Sequence, residues 1–168
     1  MAIDLAAARQ QYLDFVASRK TLAISCLDPD GAPFISYAPF VHRDGRFYIY
    51  ISRLAEHYQY IEARRQANVM LLADEADSAN LFGRERARWL CAVKNLGNEG
   101  FDEVFALFDA RFGDKMLALL RGLDFSLFEL TPQPGRYVVG FGKAFDVSVD
   151  GELFVHVAVD KKPADAAG

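Results

Sequence analysis

Between Thr21 and Ser52 the chain reads TLAISCLDPDGAPFISYAPFVHRDGRFYIYIS, and no other stretch restricts the fold as much. It predicts three antiparallel strands joined by two tight turns. In Asp28-Pro29-Asp30-Gly31 the proline presets φ at the second turn position and the glycine closes the turn. Arg43-Asp44-Gly45-Arg46 does the same with an Asp-Gly pair. In the middle segment Phe34, Ser36, Ala38 and Phe40 fall on one face, and Ile35, Tyr37 and Val41 on the other. Both faces are partly apolar, which suits a sheet curling into a small barrel rather than one lying flat on water. Pro39 has no N–H to give a ladder, so this strand is expected to be interrupted or bulged there. A bulge beside Ser36 and Tyr37 would let a ligand reach the backbone.

The rest of the chain extends this meander. Asp4 to Ser18 predicts a helix capped by Asp4, with Leu5, Ala8, Tyr12, Phe15 and Val16 at helical spacing. Ser52 is placed to cap a second helix running to about Arg65, with Leu54, Tyr58 and Ile61 as its buried stripe. Ala67 to Ala73 is a continuous apolar run, read as a strand buried on both faces. The acidic turn 74–77 follows. Between Asn80 and Val93, Arg84, Arg86 and Arg88 alternate along a strand and share one face, opposite Glu85, Ala87 and Trp89. Three guanidiniums so placed repel one another unless an anion or carboxylates lie among them; a solvated face and an anion site both remain open.

Gly100 to Arg121 predicts a pair of helices with a stripe of Phe101, Val104, Phe105, Phe108 and Phe112, broken and recapped at Gly113-Asp114 and ending with Gly122 at C′. Leu123 to Thr131 returns to strand. Arg136 to Val149 reads as one long strand whose Gly140 and Gly142 suit a barrel bend or a close backbone approach. A final strand spans Glu152 to Val159, and the polar tail 160–168 is expected to fray. The order is α+β, with a mainly antiparallel barrel and flanking helices. One domain over residues 1–168 accounts for it, with the N-terminal helix inside residues 1–19.

Composition narrows the function classes. A net charge of −4 argues against nucleic acid, which needs a dense basic face. No apolar run approaches a membrane span, and the N-terminus lacks a basic region followed by an apolar core, so the cytoplasm is the expected location. Cys26 and Cys91 lie in predicted strands and read as buried free thiols. His42, His57 and His156 fit no metal spacing. There is no nucleophile elbow, P-loop or CxxC, and the two strand glycines lack the third glycine and the helix of a dinucleotide fingerprint. If the chain catalyses a reaction, the reactive group is expected to belong to a bound cofactor.

Several strings occur in a familiar order: TLAISCLDPDGAPFISYAPFV, FYIYIS with a helix holding His57, LFGRER, RFGD, LDFSLFEL and GFGKAF. Over about residues 20–156 the chain resembles the pyridoxamine-phosphate-oxidase-like split-barrel superfamily, and within it the haem-utilisation branch. The resemblance implies a split-barrel homodimer with cofactor pockets at the subunit interface, holding FMN in most of the superfamily and haem in this branch. By the same resemblance Ser36 and Tyr37 border the flavin, and Ser52, Arg53 and His57 help to hold its phosphate, as a helix N-terminus can. Arg84 and Arg86 match basic positions facing a phosphate or a haem propionate. Asp124 matches a position supporting the haem-ligating histidine. Relatives carry that histidine beyond the last strand, where this chain reads VDKKPADAAG and has none, leaving His156 as a substitute. The leading expectation is an FMN-binding flavoprotein with a redox role linked to haem or iron utilisation. The alternatives are oxidative haem degradation and a haem or flavin carrier without turnover.

Overall fold

The computed structural model of the chain describes residues 3–157, so the expected fraying of 160–168 lies outside the described residues. Helix α1 (Leu5–Ser18) leads into β1 (Thr21–Leu27), β2 (Pro33–Arg43) and β3 (Arg46–Ser52). Helix α2 (Glu56–Arg64), β4 (Gln66–Leu72), a 3₁₀ turn (Leu81–Gly83) and β5 (Arg86–Gly97) follow. Helices α3 (Asp102–Phe112) and α4 (Asp114–Arg121) precede β6 (Phe125–Pro132), β7 (Gly135–Val138), β8 (Ala144–Val147) and β9 (Phe154–His156). The fold is α+β, as the sequence predicts.

All strands join one antiparallel sheet in the order β4-β1-β2-β3-β6-β5-β7-β8-β9, and a further β4–β5 ladder closes six of them into a barrel. Strand β5 divides one edge between two partners, pairing with β6 over Cys91–Gly97 and with β7 over Arg86–Arg88. The hairpin β7–β8 and then β9 extend from the barrel at that end.

The two turns of the meander form as their residues require. Gly31 closes the first at φ 83°, with the Asp28 carboxylate accepting from the Ala32 N–H at 2.8 Å. Asp44 and Gly45 both take positive φ, the geometry of a tight hairpin. Pro39 produces no bulge. The β1–β2 register runs unbroken from Leu27↔Pro33 to Thr21↔Pro39. Phe40 donates its N–H to Lys20, on the β1 side, so by alternation the missing N–H of Pro39 faces the opposite edge. There the β2–β3 ladder covers only Phe40–Arg43, and residues 33–39 diverge from β3. The barrel is split along this line.

Two apolar clusters hold the fold. Inside the barrel pack Ile24, Phe40, Phe47, Ile49, Val69, Trp89, Phe128 and Tyr137, with Tyr12 and Phe15 of α1 closing one end. Outside it, Val41, Tyr48, Tyr50 and Leu127 pack against Val104, Phe105, Phe108 and Leu117 of α3 and α4. Strand β3 is therefore buried on both faces, which explains its unalternating sequence. Arg111 of α3 donates to the Ala17 and Arg19 carbonyls, capping the C-terminal end of α1.

Several local expectations are corrected. Strand β4 alternates buried and exposed positions instead of being buried on both faces. Leu54 is 89% exposed and Leu5 is exposed; the buried faces of their helices comprise His57, Tyr58 and Ile61 in α2, and Tyr12, Phe15 and Val16 in α1. Phe101 begins α3 with a left-handed φ of 58° and leaves the stripe. Gly122 sits in the right-handed region at φ −80°, so it ends α4 without a left-handed cap. The predicted long strand 136–149 is a hairpin, because Gly140 and Gly142 both take positive φ and turn the chain.

Gly135 marks the tightest backbone approach. A Cβ there would lie 2.1 Å from the Arg88 carbonyl oxygen and 2.4 Å from Trp89 Cδ1. Gly135→Ala is expected to destabilise the fold by about 1–3 kcal/mol in urea unfolding. Gly122→Ala, at a φ that alanine accepts, is expected to be neutral or stabilising by about 0.4–1 kcal/mol.

Candidate functional site

The predicted site residues fall into two groups. The first lies across the split. Continued past Phe40↔Ile49, the β2–β3 register would set Tyr37 opposite Ser52; instead the strands part there. Ser36 is half-buried beside Ile24, while Tyr37 projects outward and is 68% exposed. On the far side, the Ser52 hydroxyl lies 3.0 and 3.2 Å from the two Asp124 carboxylate oxygens. It also accepts the Leu54 N–H at 3.1 Å, and the Arg53 N–H donates to the Asp124 carbonyl. Asp124 thus joins Ser52 and Arg53, an association their separation in sequence does not reveal.

Ser52 does not cap α2. Three residues separate it from the first helical residue, and the N-cap is Ala55, without a side-chain hydrogen bond. The start of α2 therefore leaves N–H groups open, next to an exposed Arg53 but also to Glu56 in its own first turn. His57 is buried, and its Nε2 has no hydrogen-bond partner among the described residues. Burial lowers its pKa, so it is neutral near pH 7. Behind it the Tyr58 hydroxyl bonds Ser126 Oγ at 3.0 Å and accepts from Asn95 Nδ2 at 2.9 Å. Asn95 also donates to Glu62 at 2.7 Å. This network fixes α2 against β5 and β6, and sequence reading found only its apolar members.

The second group lies where β7–β9 leave the barrel. Arg84 precedes β5 and does not share a strand face with Arg86 and Arg88. Its Nε donates to the Ala73 carbonyl at 2.7 Å and its Nη1 meets Glu75 at 3.3 Å. One acid of the 74–77 turn is therefore the carboxylate partner, a contact implied by the hairpin register that sets Leu72 opposite Arg86. Arg86 donates one nitrogen to the Arg84 carbonyl at 2.8 Å and keeps its remaining donors. Arg88 is exposed on the same face, in one row with Tyr37, Ala23, Met70 and Arg136. Tyr37 and Arg88 are three strands apart, roughly 14 Å. His156, on β9, sits half-buried with Nε2 3.0 Å from the Gly142 carbonyl oxygen.

The two groups do not meet within one chain. Asp124 adjoins the Gly97 end of β5, whereas His156 is reached through strands paired at Arg88. From Gly97 back to Arg88 is roughly 30 Å of extended strand. The sheet face between them carries Ile35, Tyr37, Leu27, Met70 and Leu90, and Ile35 is 71% exposed.

A six-stranded split β-barrel with polar and cationic groups at its opening defines the class of this protein as the pyridoxamine-phosphate-oxidase-like fold. The family model for pyridoxamine 5′-phosphate oxidase matches residues 8–139, and the chain belongs to that family. It is 35% identical over 147 residues to haem oxygenase HutZ of Vibrio cholerae, covering 86% of this chain and 84% of that protein. The crystal structure of Campylobacter jejuni ChuZ superposes with a TM-score of 0.85 at 29% identity, covering 99% of this chain and 68% of that one. The crystal structure of V. cholerae HutZ, there described as a haem storage protein, gives 0.72 at 31% identity, with 78% and 93% covered. Among the described residues no helix is long and apolar enough to cross a membrane.

Burial also lowers the pKa of His42, helped by the nearby Arg111. For both His42 and His57 the unfolded chain takes up protons first as pH falls. Their contribution to stability is complete above the unfolded value of about 6.5 and is lost as pH drops through the lowered folded values. The melting temperature is expected to fall from pH 7.5 to pH 5.5, and His57→Gln to flatten that slope.

Proposed function

We propose that this protein binds haem at a site completed by two copies of the chain and degrades it oxidatively. The carrying observation is the Ser52–Asp124 contact. A flavin phosphate held at the start of α2 would face the Asp124 carboxylate across the hydroxyl meant to bind it, and Glu56 besides. Like charges there disfavour a phosphate dianion. A carboxylate at that position instead suits an imidazole N–H, the usual partner of a metal-bound histidine. Kinship with HutZ, named both as a haem oxygenase and as a haem storage protein, supports haem over the expected FMN.

The residues present fit haem. Arg86 has free donors for a propionate, and the exposed Arg53 adds a cation at the other group. His156 would hold the haem iron, and to present Nε2 it would give up its bond to Gly142. Asp124 would accept a hydrogen bond from that imidazole and raise its basicity. Because the two groups are far apart in one chain, Asp124 serves the His156 of a second copy. The uncovered face of β2, β1, β4 and β5 provides the contact for a two-fold dimer. Haem, when bound, supplies the oxygen and electron chemistry, with electrons from an external reductant.

A second reading, FMN binding, is favoured by one feature: the uncapped N-terminus of α2 beside Arg53.

Titration of the purified protein with hemin is expected to give a Soret band saturating at one haem per subunit. His156→Ala should abolish or strongly shift it, and Asp124→Asn should weaken affinity about 10–100-fold. Tight FMN uptake with no Soret band would reverse the assignment, and unchanged hemin affinity in His156→Ala would remove that ligand. Turnover with oxygen and a reductant separates degradation from storage. Sedimentation of Tyr37→Asp is expected to show monomer where the unsubstituted chain is a dimer.

A further inference from the structure

Two strings of the sequence, LFGRER and GFGKAF, begin in loops that carry exposed aromatic rings. Phe82 is 89% exposed in the 3₁₀ turn, next to an exposed Leu81. Phe141 is 74% exposed at the tip of the β7–β8 hairpin. The loops touch through their glycines: a Cβ on Gly83 would stand 3.1 Å from Gly140 Cα. Neither ring belongs to an apolar cluster of the core. Large phenyl groups at such exposure are retained at some cost in solubility, and a cluster of them marks a contact surface.

The surroundings define what the surface contacts. Arg84, directly after Gly83, is paired with Glu75, but Arg86 keeps free donors two residues on and Lys143 is exposed two residues after Phe141. His156 bonds the Gly142 carbonyl in the same hairpin tip. In a chain of net charge −4, aromatic rings with the cations Arg86 and Lys143 nearby fit a flat, apolar, anionic molecule. We propose that Phe82 and Phe141 form an aromatic clamp on the face of the bound ligand, with Arg86 taking its carboxylate. This rests on the haem reading above and makes the ligand a dianionic porphyrin. The two rings sit on the loops bearing the arginines and beside His156, so they would pack against a ligand held there. The Gly83–Gly140 contact fixes the spacing of the two loops: a side chain at Gly83 would press on the Gly140 backbone and part them.

Hemin titration of the full-length chain, followed at the Soret band, tests this. Phe82→Ser with Phe141→Ser is expected to weaken hemin binding about tenfold or more, since each loses the apolar contact its ring provides. Both rings are exposed, so circular dichroism and melting temperature should be unchanged. Phe82→Tyr, which keeps the ring, should retain affinity, and Gly83→Val should lower it by parting the loops. A wild-type Soret titration that the double substitution leaves unmoved overturns the clamp alone. Loss of the dimer in sedimentation of the hemin-free double variant assigns the rings to subunit contact and also overturns it. Absence of any Soret band in the wild type overturns the haem reading itself.

Discussion

The ladder between β2 and β3 stops at Phe40, and the rest of the molecule depends on that stop. A closed six-stranded barrel would bury its interior completely and leave no opening. Here Pro39 withholds one N–H on the β3 side while β1 continues to pair with β2 on the other. The strand stays extended, but only one of its edges is held. Residues 33–39 lean away, so the end of β3 faces a gap on that side while on the other it stays paired with the start of β6. Ser52 and Asp124 at those ends then find each other.

This geometry sorts the charged groups by what they can still do. Arg84 spends its guanidinium on Glu75 and the Ala73 carbonyl, closing the connection between β4 and β5. Arg86 is constrained at one nitrogen only. Arg111, with its hydrogen bonds on α1 and its guanidinium over the Phe40 ring, is structural. Cys91, buried at the barrel wall, has its thiol pushed up to about 12 and is inert as a nucleophile. On β5, Arg88 stays exposed on the outward face that it shares with Tyr37 and Met70.

Much of the fold was legible because local chemistry and tertiary context agree. The turns at Asp28–Gly31 and Arg43–Arg46, the Asp4 cap and the break at Gly113 all appear where their residues place them. The failures share one cause. Leu54 reads as part of a helical stripe because helix spacing holds through it, yet Ser52 is drawn off by Asp124, a partner about seventy positions away, and the helix starts later. Strand β4 is apolar because one face lines the barrel and the other belongs to the uncovered sheet surface, which a single sequence cannot separate from two-sided burial. The hairpin at Gly140–Gly142 was read as a bend because strand glycines signal either, and only the register of β7 against β8 decides. Of the site, the residue types were readable but their grouping was not, since the separation of Asp124 from His156 is a property of barrel topology.

The β3–β6 ladder joins residues far apart in the chain, from Phe47↔Leu130 to Ser52↔Phe125. During synthesis the meander leaves the ribosome long before its partner exists. Until β6 arrives, Phe47, Ile49 and Ile51 present an apolar strip beside an unpaired strand edge, the combination that invites wrong pairing. Non-local closure of this kind is slow, because the loop must be drawn together before any ladder bond repays it. The two hairpin turns can settle early, but the barrel becomes a barrel only when its sixth strand is made. Nascent chains stalled before residue 125 should therefore be the ones that chaperones hold.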